Sequence, residues 1–308
     1  AVAPVLYGRS GDVKIGVDLG GTKLRAALAA EDGTLVCKRV VNTSAEGGAD
    51  AVAQRIAKLV KALPGWESAD FIGVGAPCAV SRDGNTLQLA SNLPGMDGYP
   101  LRDRLSAALS HPVRLENDAN AACLGEALFG AGRGCESIVY LTVSTGIGGG
   151  IYANGRLLRG ARGAAAEFGS MSIDPQRASR GGLPHGAAEN ELSGTALVER
   201  ARVLTGQAFA HAGEVFRTAR EGDMAIRALV EDFAGGLAVL LSNLACVADP
   251  ERFVLGGGCM QSKDAFWEAL CERYRAFAQE VYRDIPIVAA ALEEPGLVGA
   301  AMLEKAGR

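Results

Sequence analysis

The sequence predicts an α/β protein built as two similar lobes facing each other across a central cleft. Three observations carry that expectation. Short apolar strands alternate with helical patterns along most of the 308 residues. A unit of strand, glycine-rich loop, strand, turn and strand occurs near the start and again at 136–158. Each copy is followed by helices and further short strands, the pattern of a sheet covered by helices. The first lobe is expected over 1–117 and the second over 118–292, with 293–308 returning to the first as a helix.

The first copy, in "KIGVDLGGTKLRAALAAEDGTLV" (14–36), reads as strand 13–18, a glycine turn, strand 24–30, a turn at Asp32-Gly33 and strand 34–41. Asp-Gly between apolar runs signals a hairpin, because that turn needs positive φ. A helix follows near 49–63, then the apolar strand "FIGVGAP" (71–77), a helix near 101–110 and the strand "VRLEN" (113–117). "DANAACLGEALFG" has helical spacing. The second copy, "ESIVYLTVSTGIGGGIYANGRLL", places its hairpin turn at Asn154-Gly155. Helices are expected near 193–204 and 224–247, then strand 252–256, helix 262–280, strand 285–290 and a final helix near 295–306.

Composition narrows the class. Apolar residues make up 48% of the chain without a run long enough to span a bilayer, which predicts a globular protein and no membrane partner. The opening "AVAPVLYGRSGD" is too short and weakly apolar to read as a signal peptide, so cytoplasm is expected. A net charge of −4 with no basic run argues against nucleic acid. The 7 cysteines are scattered and form no C-x-x-C, so neither a disulfide framework nor a zinc knuckle is indicated. Most of them are read as buried small hydrophobes.

Glycine turns are often nothing more than tight turns. Asp18-Leu19-Gly20-Gly21-Thr22-Lys23 offers more: backbone N–H groups for phosphate oxygens, a hydroxyl at Thr22, a cation at Lys23, and at Asp18 a carboxylate to orient hydrated Mg²⁺. Ser144-Thr145-Gly146 and the glycines after it repeat that chemistry. No Gly-Lys dipeptide and no complete G-x-G-x-x-G occur, which excludes a P-loop and leaves a dinucleotide-binding turn unsupported. Asp118, at a strand-to-helix junction, reads from spacing alone as a helix cap before it reads as a base. His111, His185 and His211 show no metal-ligand pairing.

The segments "DLGGTK" (18–23), "LENDANAACLGEALFGAGRG" (115–134), "VSTGIGGGIYANGRLLRGARGAAAEFG" (143–169) and "FVLGGG" (253–258) resemble the ROK family. Its members are bacterial sugar kinases with a two-lobed, actin-like (ribonuclease H-like) fold, and related sugar-responsive repressors. The resemblance implies that Asp118 is the catalytic base and that Asn92, Asn117, Glu167 and Glu189 contact the sugar. It further implies ATP on Thr145, Gly146 and the cluster Gly256-Gly257-Gly258, opposite the first glycine loop, and a homodimer. One departure stands out. Where the family carries a histidine and a cysteine-rich zinc loop, this chain has Ser170 and the cysteine-free "GGLPHGAAENELSG" (181–194), so no zinc is expected. Glu189 and Ser193-Gly194 still match the motif's end. The resulting expectation is an ATP- and Mg²⁺-dependent kinase of a hexose or hexose-like compound: glucose, an amino sugar, an N-acetylhexosamine or a cyclitol. A ROK-type transcriptional regulator is the first rival, disfavoured by the dozen residues ahead of the first strand. A sugar-binding protein without catalysis is the second.

Overall fold

A computed structural model describes residues 13–90 and 93–307. Its chain groups into two compact units. The first holds the described residues up to Gly134, the segment Gly155–Ala165 and those from Ala291 onward; the second holds Cys135–Asn154 and Ala166–Ala290.

In chain order the first unit forms β1 (Val13–Leu19), β2 (Lys23–Ala30), β3 (Leu35–Asn42), α1 (Ala49–Lys61), β4 (Ile72–Ala76), β5 (Ala79–Val80), β6 (Leu87–Gln88), α2 (Leu101–Leu109), β7 (Val113–Asn117) and α3 (Asp118–Phe129). The second unit opens with β8 (Ser137–Val143) and β9 (Ile147–Ala153), after which β10 (Arg156–Leu157) belongs to the first. Next come α4 (Ala188–Leu192), α5 (Gly194–Thr205), α6 (Ala212–Arg220), α7 (Met224–Ala248), β11 (Arg252–Gly256), α8 (Trp267–Phe277) and β12 (Ile287–Ala289). Helix α9 (Pro295–Ala301) closes the first unit.

The repeated sequence unit is a repeated topology. In the first sheet the order is β3-β2-β1-β4-β7: an antiparallel meander joined through β1 to parallel strands. In the second, β9-β8-β11-β12 has the same form, antiparallel at β9/β8 and parallel beyond. The parallel strands are buried almost throughout, as expected where helices cover the faces. Each unit has its own apolar core, one around β1, β4, α1 and α2, the other around β8, β11 and the 25-residue α7.

Small residues let helices approach closely in the first unit. Helix α9 lies on β1 and β4 and against α3. A Cβ on Gly16 or Gly73 would overlap the carbonyls of Leu297 or Ala300, and one on Gly299 would overlap that of Ala121. The carboxylate of Glu126, buried at the end of α3, accepts from the Ala291 and Leu292 amides at 2.8–3.1 Å and so fixes the incoming chain.

The structure departs from the sequence expectations at three points. The helix expected at 262–280 is a 3₁₀ segment, Gly258–Ala265, followed by the separate and shorter α8. The segment 181–194 carries a helical turn, α4, and α6 has no counterpart in the sequence reading. Only Cys78, Cys123 and Cys259 are buried; Cys246 is exposed and the rest are half-buried.

Candidate functional site

The sequence-predicted residues fall in both units. In the first, the Gly20–Thr22 turn joins β1 to β2 and is tied down by its backbone. Gly20 N–H donates to the Lys23 carbonyl at 2.9 Å, the Thr43 hydroxyl donates to the Gly20 carbonyl at 2.6 Å, and Thr43 N–H donates to the Thr22 carbonyl at 2.9 Å. Gly21 and Thr22 are exposed at its tip, available to a ligand. Asp18 sits opposite Arg25 in the ladder and accepts from its guanidinium at 2.6 Å. Burial pushes the Asp18 carboxyl up, against the lowering effect of Arg25. Lys23 Nζ likewise has a partner, donating to Asn42 Oδ1 at 2.8 Å.

The end of β7 turns directly into α3. Asn117, not Asp118, caps the helix: its Oδ1 accepts from the Ala119 and Asn120 amides at 2.9 and 3.0 Å. Its Nδ2 reaches the Cys78 carbonyl at only 3.4 Å. Asp118 is therefore the first helical residue, with Oδ1 accepting from Ala119 N–H at 2.7 Å. The cap expected of Asp118 is thus corrected to its neighbour. Beneath them the buried Glu116 accepts from Arg159 at 2.6 Å and from Asn120 Nδ2 at 3.1 Å, which fixes the turn. Asn92 lies outside the described residues.

In the second unit, Thr145 and Gly146 lie in the turn between β8 and β9. Glu189 packs on this turn. Its Oε2 accepts from Ile147 N–H at 3.0 Å and lies 2.5 Å from where a Cβ on Gly146 would stand. Glu167 shares this environment: desolvation of its carboxyl first, then the charge of Glu189, raises its pKa, although the residue as a whole is exposed. The following Ser193-Gly194 has a local explanation. The Ser193 hydroxyl caps α5 through Ala196 N–H at 3.1 Å, and Gly194 N–H donates to the Ser144 carbonyl at 2.6 Å. A side chain at Gly194 would crowd that carbonyl.

Beside this turn lies a cavity of about 630 Å³. Ser144, Thr145, Gly194 and Gly258 line it, together with Thr195, Val198, His211 and Gln261. Its size suits a nucleotide-sized ligand. The first residues of α5 border it, and helix N-termini favour phosphate oxygens. Of the three glycines, Gly256 and Gly257 are packed by the protein itself, against Tyr140 and Val143, and Gly257 has φ +92°. Gly258 faces the cavity. Burial pushes the neighbouring Cys259 thiol up to about 11, so it is neutral there. Thr195, Val198 and Gln261 escaped the sequence reading, and His211 was considered there only as a metal ligand, because the four come from three separate segments with no shared spacing.

The ROK family model matches residues 14–306. The chain belongs to the ROK family. This ROK protein is 33% identical over 306 residues to the glucokinase of Thermotoga maritima, covering 94% of this chain and 96% of the relative. It is 31% identical to the N-acetylmannosamine kinase of Yersinia pseudotuberculosis, over 95% of this chain and 98% of that one. Among solved structures it is similar to a ROK glucokinase from Streptomyces griseus in complex with glucose and AMPPNP. The TM-score there is 0.78 at 32% identity, covering 94% of this chain and 98% of the other. Its fold is the actin-like, ribonuclease H-like fold of the ROK sugar kinases. Among the described residues no helix is long and apolar enough to cross a membrane, and no group of His, Cys, Asp and Glu is arranged to hold a metal ion.

Proposed function

We propose that this ROK protein transfers the γ-phosphoryl group of ATP to a hydroxyl of a hexose or hexose-like sugar, with Asp118 as general base. The ATP-dependent sugar-kinase class rests on the family and on relatives named as glucokinase and N-acetylmannosamine kinase. The role of Asp118 rests on one observation: Asn117 does the capping, so a carboxylate at the first position of α3 is not needed to start the helix.

ATP is read as a substrate of the second unit's cavity. Adenosine lies against Gly258 and the phosphates meet Thr145, Gly146 and the start of α5. Mg²⁺ accompanies the phosphates and neutralises charge on them. Asp118 accepts the proton of the sugar hydroxyl as that oxygen bonds to the γ-phosphorus, and the bond to the ADP oxygen breaks in line. Most of the rate enhancement in such a transfer comes from positioning and charge stabilisation. Glu167 and Glu189, together with the remaining amide hydrogens of Asn117, supply acceptors and donors for sugar hydroxyls. Ser170 stands where the family resemblance places an imidazole, so one hydroxyl is read differently here. The protein is expected to act in the cytoplasm as a homodimer.

The test is ADP release measured by a coupled assay over hexoses, amino sugars, N-acetylhexosamines and cyclitols. Sugar-dependent ADP formation with one of these classes is expected. No release above the ATP-only background with any of them overturns the reading.

A further inference from the structure

We propose that Arg177 is a positioning residue for Glu189, acting through the buried carboxylate of Glu191; this rests on the reading of Glu189 as a sugar contact. Arg177 stands within a loop closed by its own backbone. Ile173 N–H donates to the Gly186 carbonyl at 2.9 Å, and Ala188 N–H to that of Met171 at 2.8 Å. From there the guanidinium reaches three carboxylates: Asp174 at 3.2 Å, Glu191 at 2.7 Å and Asp232 at 2.9 Å. Asp232 is on α7, the long helix of the second core, so Arg177 fastens both loop and α4 to that helix. Arg200, on α5, completes the arrangement by donating to Asp232 and, at 3.0 Å, to the Glu191 carbonyl.

Glu191 makes the arrangement depend on Arg177. Its side chain is 3% exposed, and a carboxylate that buried needs a close cation. Oε1 has no hydrogen-bond partner, while Oε2 takes the Arg177 bond. The Arg200 guanidinium is more distant, at 3.8 Å. Its own bonds to Asp232 and Glu191 hold the Arg177 guanidinium well above its ordinary pKa, despite burial.

Helix α4 has five residues, too few to be stable alone. Two positions apart on a helix point to nearly opposite sides. Glu191 faces the arginines, and Glu189 faces the Thr145-Gly146 turn, where it holds Ile147 N–H. These two anchors set the rotation of α4 about its axis. When Arg177 is removed, the buried Glu191 carboxylate keeps only the Arg200 guanidinium at 3.8 Å and no hydrogen bond, and α4 turns or shifts to give it a closer partner or water. Glu189 moves with it. A misplacement of about 1 Å in a site can cost on the order of 100-fold, so an effect of at least about tenfold is expected.

Sugar kcat and KM are measured for wild type, Arg177→Met, Arg177→Lys, Glu189→Gln and the Arg177→Met/Glu189→Gln double variant. Arg177→Met is expected to lower kcat/KM for the sugar by about tenfold or more. Lysine should restore part of this, since it supplies the charge without the fork. In the Glu189→Gln background the Arg177→Met loss should largely disappear, because the side chain it positions is already changed. A loss that persists undiminished in that background overturns the proposal, since the effect is then structural and independent of Glu189. If Glu189→Gln leaves the sugar constants unchanged, the sugar-contact reading of Glu189 falls first, and this proposal with it. Should Arg177→Met not fold, Asp232→Asn serves instead: it removes one partner but leaves Arg177 on Glu191. Its smaller loss must also vanish in the Glu189→Gln background, and persistence there counts equally against the proposal.

Discussion

Replacing Asp118 by Asn separates the base from the helix it begins. The structural cost is small. Asn Oδ1 can still accept from Ala119 N–H, as Asp118 does at 2.7 Å, and Asn117 keeps both capping bonds. What disappears is a negative charge in the first turn, worth ~0.3–1 kcal/mol at a helix N-terminus. For a chain of this size that shifts Tm by only a few degrees, about 1–4 °C. The catalytic cost is far larger. General-base catalysis contributes ~10²–10⁴-fold, equivalent to about 2.7–5.4 kcal/mol of barrier at 1.36 kcal/mol per tenfold. Asn117→Ala is the converse control. It deletes two capping bonds and should cost ~0.5–2 kcal/mol of stability and, since Asn117 is also a proposed sugar contact, weaken sugar binding, while leaving the Asp118 carboxylate in place. Turnover is read by coupled ADP release, stability by denaturant unfolding and sugar binding by calorimetry. The expected pattern is a collapse of kcat in Asp118→Asn with sugar affinity and unfolding midpoint nearly intact. If that variant keeps more than about half the wild-type kcat, or loses activity only as it loses folded protein, Asp118 is not the base.

Other substitutions test the frame around the site. Gly299→Ala places a methyl into the Ala121 carbonyl where α9 meets α3, and overpacking between two backbones should cost ~1–3 kcal/mol or more in chemical denaturation. Gly258→Val should raise the KM for ATP while leaving sugar affinity unchanged, because it fills the second unit's cavity; equal effects on both would relocate the nucleotide. The Asp232 carboxyl is desolvated, which alone would raise its pKa, but Arg177 and Arg200 hold it below the usual carboxylate range. Its contribution to stability is complete above that range and is lost as pH falls through the lowered value, so Asp232→Asn should flatten this part of the acid-unfolding curve. Metal analysis of the purified protein should find well under one zinc per chain, and a zinc-selective chelator should change neither Tm nor activity. Stoichiometric zinc would mean that a site has gone unread.

The parts of the fold legible in the sequence are those whose cause is local. The β1–β2–β3 meander shows in its apolar runs and in the Asp32-Gly33 turn, where Gly33 adopts φ +82°. The same unit at β8 and β9 declares itself because its turn chemistry is repeated. Capping was half legible. "ENDAN" contains two adjacent capping residues, and the choice depends on where β7 stops, which is set by the pairing of Asn117 with Ala76 on β4. Gly16 and Gly73 read only as members of apolar strands, yet they are glycine because α9, more than 200 residues later, lies on them. No window of sequence contains both partners. Charge partners far apart in the chain are illegible for the same reason. Arg177 and Asp232 are 55 residues apart, and each taken alone is an ordinary surface charge. The two kinds of residue therefore have different signatures. Groups proposed to touch substrate or nucleotide (Asp118, Thr145, Glu189) sit at ends of strands and short helices, where a polar residue interrupts an apolar pattern and can be seen. The groups that hold them in place, such as Arg177 behind Glu191 or Arg159 behind Glu116, act across the fold, and only assembled geometry reveals them. Substitutions of this second kind are expected to change kinetic constants from positions that no motif marks, and Arg177 is the first place to look for one.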